Sequence, residues 1–404
     1  MTDLPAVPSA AAAAAPAITA APPSLDDAPA FVRILRRSAT GLEHTLTVYG
    51  AALLIALLLL AVAAVYVTPA LVPINHGVDY AGLSVRPFDF AAGHYLQLRI
   101  LTPALGHWLH LRGPLFPILP LAMDVFLLAA VYTYFRKQHF DPAEATGMAA
   151  LLAFSTPVLS QLHFAGYIDP TSHLLIFLML ISARYLWLWP ILFSLAMLNH
   201  GSNILVGPLV VCTAIAYRPR WTTLLLAGAA AALAVVPAAA YSAYVQAHAE
   251  IPLSESHYLN ADHIKECIWY SGRCMYLGIF LAFKLFWFFP LAAVALLAQR
   301  GSLTRAGWLV LAVACALAQL LFATDTSRLV GLAFPAILFG AAACREAWGT
   351  SRFVRRLWLL VGLNFFVPQY YIGQTTAIPY FPLPLSFLLR HVFNLDAWDL
   401  CWRT

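Results

Sequence analysis

Apolar runs, most of them about 17 to 25 residues long, alternate with short polar turns along nearly the whole chain, and about 20 residues is the length of a helix that crosses a bilayer. Lipid offers no hydrogen bonds to a free backbone, so only helices and closed barrels can span it. The runs are rich in Leu and Ala and lack the alternating ten-residue pattern of barrel strands. The pattern therefore predicts an all-α fold, a polytopic integral membrane helical bundle of about eleven transmembrane helices. Spans are expected near 48–72, 115–135, 144–163, 171–183, 185–199, 203–217, 221–243, 276–298, 306–323, 329–344 and 357–373. The fourth and fifth are short and parted by Arg184, so a broken or re-entrant pair is the alternative there.

Composition agrees: 62% of the 404 residues are hydrophobic and 10% charged, with a mean hydropathy of +0.78, against about 45–50% apolar residues in soluble domains. The net charge of +5 does not point to nucleic acid, because the basic residues are spread over short turns and form no continuous patch. Taking alternate turns, one side of the membrane collects fourteen Lys and Arg, including Arg33, Arg36, Arg37, Arg136, Arg345 and Arg352, and the other eight. By the positive-inside rule the richer side is cytoplasmic. This predicts a cytoplasmic N-terminus and an external, periplasmic C-terminus.

Three regions follow. Residues 1–46 form an Ala- and Pro-rich tail ending in a basic membrane-flanking cluster, too poor in large apolar side chains to fold. The cluster comes late and precedes a full-length span, unlike a secretory signal. Residues 47–373 are the bundle, with long external loops at 73–114 and 244–275, and residues 374–404 an external tail. No internal repeat suggests a two-halved transporter.

Sites are usually carried by loops on a rigid scaffold, so the longer external loops are where chemistry is expected. In the first, Asp79 lies a few residues beyond a span. A carboxylate there can take a proton from an acceptor hydroxyl or hold a divalent cation such as Mg or Mn against phosphate oxygens. Asp89 is the rival. His94, His107 and His110 share this loop; with no Cys or well-spaced acid beside them, an amphipathic surface role is the simpler reading than a metal site. The other external turns carry Asp169, then Asn199, His200 and Asn203, then Asp325 and Arg328. Their guanidinium and Arg99 suit an anionic oxygen pair. Two ionisable residues fall inside expected spans: Lys284, placed to snorkel or to reach a phosphate, and Asp124, expected to be paired in the bundle interior. Cys212, Cys315 and Cys344 read as buried apolar residues, whereas Cys267 and Cys274 share one loop and are a candidate disulfide if that loop faces an oxidising compartment.

The order of these pieces resembles the membrane-embedded glycosyltransferases of the GT-C fold, particularly bacterial members. An acidic first loop with Asp79 and Tyr80 is followed by HYLQLRILTPALGHWL, then GYIDPTSHLLIFLML, MLNHGSNILVGPLVV and DTSRLVGLAFP, together touching residues 48–345. The resemblance implies transfer of a sugar from a polyprenyl-phosphate donor to a glycan, lipid or protein acceptor on the non-cytoplasmic face of a bacterial inner membrane. It implies Asp79 as base, Arg99 and Arg328 on the donor phosphate, and Asp169 and Asp325 orienting the site; beside these, His94, His200 and Lys284 are candidate substrate contacts on the reading of the residues themselves. Two departures stand out. Asp79 is followed by Tyr80 and Ala81 where the family has Gly-Gln or a second acid, and His200-Gly201 replaces an Arg-Glu turn. A transporter or flippase, or an inactive scaffold subunit of the same fold, are the alternatives from other classes.

Overall fold

The computed structural model describes residues 29–67, 69–70, 72–90, 95–183, 185–217, 221–249, 260–367, 369–373 and 376–379. Most of the N-terminal tail, His94, and the chain beyond 379 lie outside the described residues.

The chain is a helical bundle. In order come α1 (Ala30–Val67), α2 (His76–Val85), α3 (Leu101–Trp108), α4 (Ile118–Lys137), α5 (Pro142–Ala153), α6 (Thr156–His163), α7 (Asp169–Ile181), α8 (Trp189–Asn199), α9 (Gly207–Tyr217), α10 (Trp221–His248), α11 (Ala261–Phe283), α12 (Phe288–Gln299), α13 (Leu303–Ala318), α14 (Thr326–Val330), α15 (Phe334–Trp348) and α16 (Thr350–Asn364). An antiparallel hairpin of β1 (Tyr370–Gly373) and β2 (Thr376–Pro379) follows, with Tyr370 opposite Pro379. Proline punctuates the helices: Pro142, Pro157, Pro170, Pro190 and Pro335 each stand in a first turn, where a missing N–H costs no helical bond. Asp141 adds a reciprocal cap with Glu144 at the start of α5, satisfying two otherwise free backbone donors.

Among the described residues, six helical segments are long and apolar enough to cross a membrane, seven if the pair α5 and α6, bent by 51°, is one span. That falls short of the eleven expected. Three of the expected spans correspond to α7, α8 and α9, apolar helices of 13, 11 and 11 residues, about 16 to 20 Å long against a hydrocarbon core of about 30 Å. The last expected span is replaced by α16 and the hairpin. Asn364 ends the helix by accepting from the Leu285 amide at 3.1 Å and donating to the Phe154 carbonyl at 3.0 Å, and the Tyr- and Ile-rich segment after it is better suited to a pleated strand. The second long loop is also shorter than expected, because α11 begins at Ala261 with Asn260 capping Asp262.

This places Cys267 and Cys274 on one helix, seven residues and about 10 Å apart along its axis, beyond the Cα separation a disulfide bridges. Cys267 is a buried free thiol 3.3 Å from His263 Nε2.

α5 is buried along its whole length, α7 packs between α4 and α8, and α1 packs on α4 and α5. Exposed Leu53, Leu57, Leu58 and Val65 on α1 and Leu225, Leu226 and Leu233 on α10 form the outward apolar surface that lipid would cover. Charges collect at the two ends of the bundle. At one end Arg136 binds Glu43 (2.7 Å from Nη2), Arg345 binds Glu144 (3.0 Å) and Arg36 binds Asp141 (2.7 Å). At the other stand Asp169, Asp325 and Arg328.

Candidate functional site

Arg328 is the hub of the second end. It sits in α14, a single turn started by Asp325, so the two side chains lie three residues apart on one face. Its guanidinium donates to Asp325 Oδ2 at 2.7 Å and to Asp169 Oδ2 at 3.3 Å, and lies 4.8 Å from the centre of the Tyr167 ring. Tyr371, on β1, donates its hydroxyl to the other oxygen of Asp325, and the hairpin is pinned by the Ile372 amide donating to Ser327 Oγ at 3.1 Å. Three separate chain segments, α14, the turn into α7 and β1, thus meet around one cation and its carboxylates.

Beside the hub runs a seam of neutral polar side chains. Asn199 donates to Ser172 Oγ at 2.8 Å and to the Ile168 carbonyl at 2.9 Å, and Asn203 donates to the same Ser172 oxygen at 2.8 Å. Thr102 donates to Asn199 Oδ1 or to Thr171. These bonds satisfy buried groups that would otherwise be left orphaned at α7, α8 and the 3₁₀ turn Gly201–Val206. His200 caps that turn: Ser202 brings its backbone N–H to 3.3 Å and its hydroxyl to 2.7 Å of His200 Nδ1.

Burial sets the protonation of the site. It holds His200 well below the usual histidine range, helped by the positive charges of Arg99 and Arg328. It lifts Tyr167 to about 12, and lifts Tyr80 and Tyr371 too, with Asp169 and Asp325 adding to the effect. At neutral pH these are a neutral imidazole and three un-ionised phenols.

Five of the residues singled out from the sequence come together: Asp169, Asp325 and Arg328 in direct contact, His200 across a shared cavity, and Arg99 donating at 3.2 Å to the Tyr80 hydroxyl, which feels both Arg99 and the Asp169–Arg328 pair. Asp79 is on the rim. It is 41% exposed and 3.2 Å from His76 Nδ1, and the His76 ring lies 6.1 Å from Tyr167, the ring beneath Arg328. Asp89 is farther along the loop, 3.8 Å from Arg86. Lys284 is 1% exposed and contacts Tyr66, 3.4 Å from its hydroxyl and 5.1 Å from its ring centre; it neither snorkels nor joins the Arg328 group. Asp124 is fully buried, and among the described residues neither of its oxygens has a hydrogen-bond partner, so the expected pairing is not formed there. His107 turns to the Ser84 carbonyl and His110, beyond the end of α3, to Arg112, so the two imidazoles diverge.

Asp79 and Asp89 are engaged by His76 and Arg86, and among the described residues no three His, Cys, Asp or Glu side chains gather as a metal site.

The sequence assigns no role to Tyr167, His173, Gln319 and Tyr371, and singles out Tyr80 only as the neighbour of Asp79. Tyr80 and Tyr167 adjoin or nearly adjoin Asp79 and Asp169, which was a usable signal; Tyr371 was hidden inside an expected span. An open pocket of about 420 Å³ lies elsewhere, between α1, α4 and Ile181, and is apolar except for Tyr49, Thr133, Tyr134 and Lys137. It suits acyl chains better than chemistry.

Comparison with protein-family models, curated proteins and solved structures finds no match for the chain.

Proposed function

We propose that the chain is a membrane glycosyltransferase of the GT-C type, moving a sugar from a polyprenyl-phosphate donor to a glycan, lipid or protein acceptor on the non-cytoplasmic face. The observation that carries this is the meeting of Arg99, Asp169, His200, Asp325 and Arg328 at one end of an apolar bundle, with an acid-bearing helix, α2, lying over them. A water-soluble acceptor reaches that end from solvent and a lipid-borne donor reaches it from the bilayer.

In this mechanism Asp79, half-exposed and oriented by His76, takes the proton of an acceptor hydroxyl. The hydroxyl oxygen attacks the anomeric carbon from the side opposite the phosphate, the carbon–oxygen bond to phosphate breaks, and polyprenyl phosphate leaves with the electron pair, inverting the centre. Arg99 supports the charge that grows on the leaving phosphate. Asp169 and Asp325 hold Arg328, which orders the floor of the site.

A lipid or solute transporter is the alternative, favoured by Lys284 and Asp124, two ionisable groups buried within spans, where such residues often mark a transport path. Purified protein in detergent, given radiolabelled polyprenyl-phosphate sugars and a mixed glycan acceptor, separates the two. Transfer is expected from the wild type, with Asp79→Asn slower by about 10²–10⁴-fold, the range for losing a general base, and Asp89→Asn within about twofold. If the wild type consumes no donor while liposomes carrying it pass a lipid or solute, the transporter is correct.

A further inference from the structure

A small cavity of about 10 Å³ lies beside Arg328, lined in part by Asp169, His173, His200, Ser202 and Gln319. Three polar atoms of its lining residues are buried without a hydrogen-bond partner among the described residues: His173 Nδ1, Gln319 Nε2 and Arg328 Nε. His173 and Gln319 are each 2% exposed. Buried polar groups are nearly always satisfied in native proteins, so three orphans around one void point to a ligand atom that satisfies them. The void has room for about one oxygen.

The surroundings select which oxygen. The single positive charge of Arg328 already faces two carboxylates, Asp169 and Asp325, and Arg99 brings the total of these four groups only to zero. A phosphate entering here would meet two carboxylates with no surplus cation. It would also offer acceptors alone, whereas the walls mix donors, Gln319 Nε2–H and Arg328 Nε–H, with the Asp169 acceptor. His200 adds to the neutral side. The backbone N–H of Ser202 points at its Nδ1 and cannot turn away, so Nδ1 must accept and Nε2 carries the proton. A hydroxyl, which donates and accepts at once and carries no charge, matches every one of these features.

We propose that the cavity beside Arg328 is the subsite for one hydroxyl of the donor's sugar, and that the donor's phosphate is held outside it. The assignment rests on the transferase function above and changes one role that the family resemblance implied, since it moves Arg328 from the phosphate to the sugar. Water takes the hydroxyl's place between turnovers. A site built to hydrogen-bond a hydroxyl discriminates strongly against ligands that lack it, so this cavity reads the identity of the sugar.

The test is binding of polyprenyl phosphate, and of the same carrier bearing mannose, glucose or arabinose, to purified full-length protein in detergent. Wild type is compared with Gln319→Leu and with His173→Phe, which keeps a ring against Phe334, 5.6 Å away. Both variants are expected to bind the preferred sugar-bearing lipid about tenfold more weakly, the effect of one lost hydrogen bond in a buried site. They are expected to bind the bare carrier as wild type does, which also shows that they are folded. Equal weakening of both lipids would place phosphate in the cavity and overturn the assignment, and unchanged binding of both would overturn it as well. A wild type that binds neither lipid refutes the transferase function itself, and the sugar subsite with it.

Discussion

Arg328→Met is expected to destabilise the folded protein by about 3–5 kcal/mol, the range for removing one partner of a buried ion pair. The substitution keeps the apolar stem of the side chain but leaves Asp169 and Asp325, whose side chains are 20% and 24% exposed, without the cation that joins them. Tyr371 would remain the donor to Asp325, which cannot replace a charge. The diagnostic step is the triple variant Arg328→Met with Asp169→Asn and Asp325→Asn. Removing both charges along with the cation should recover most of the loss, since a neutral cluster of similar shape is often as stable as a buried ion pair. Thermal unfolding in detergent, followed by intrinsic Trp fluorescence, reads both effects. An Arg328→Met protein as stable as wild type would mean that the two carboxylates are not held by this guanidinium.

The second large effect is steric. α2 reaches the Arg328 cluster only because Gly77 lies against the turn after α6: a Cβ at Gly77 would stand 2.1 Å from the Ala165 carbonyl oxygen. The facing residue, Gly166, has φ +92° and would put a Cβ 3.0 Å from the Gly77 Cα. The close approach is backbone to backbone, so no side-chain rotation relieves it. Gly77→Ala is therefore expected to destabilise by about 3 kcal/mol, the upper end for overpacking, and to lift Tyr80 and Asp79 away from the site. Gly82→Ala, on the same helix with nothing within 4 Å of its Cβ, is the control. It should stabilise by about 0.5–1 kcal/mol through helix propensity alone. Equal behaviour of the two variants would show that α2 is not seated on Gly166.

Much of the architecture could be read from hydropathy, because lipid imposes one rule on every span. The rule is weakest where an apolar run serves another purpose. Residues 171–183, 185–199 and 203–217 have the composition of spans but fold as short helices that line the polar seam. The run through Tyr370 and Ile372 is apolar enough to be taken for a helix and is a strand, because hydropathy does not distinguish period 2 from period 3.6 when every position is apolar. At the site, the alternation of turns placed Asp169, His200, Asp325 and Arg328 at one end, and the structure joins them. Which acid lies on the rim and which is locked to arginine depends on the direction of side chains along α2 and α14, information that the spacing of residues in the turns does not carry. Gln319 lies at the end of the apolar α13 and His173 inside α7 where its apolar stretch begins, and only their neighbours in space give them a role.

On the proposed function these residues gather on a single side of the membrane, opposite the basic end marked by Arg136 and Arg345. Single cysteines at Arg86 and Asp262, exposed at the Arg328 end, and at Arg352, exposed at the other, can be placed in a chain freed of its own six cysteines. Reaction with a membrane-impermeant maleimide in intact cells should modify 86 and 262 together, and 352 only after permeabilisation. Labelling of 86 and 262 from opposite sides, or of 352 along with them, would contradict it.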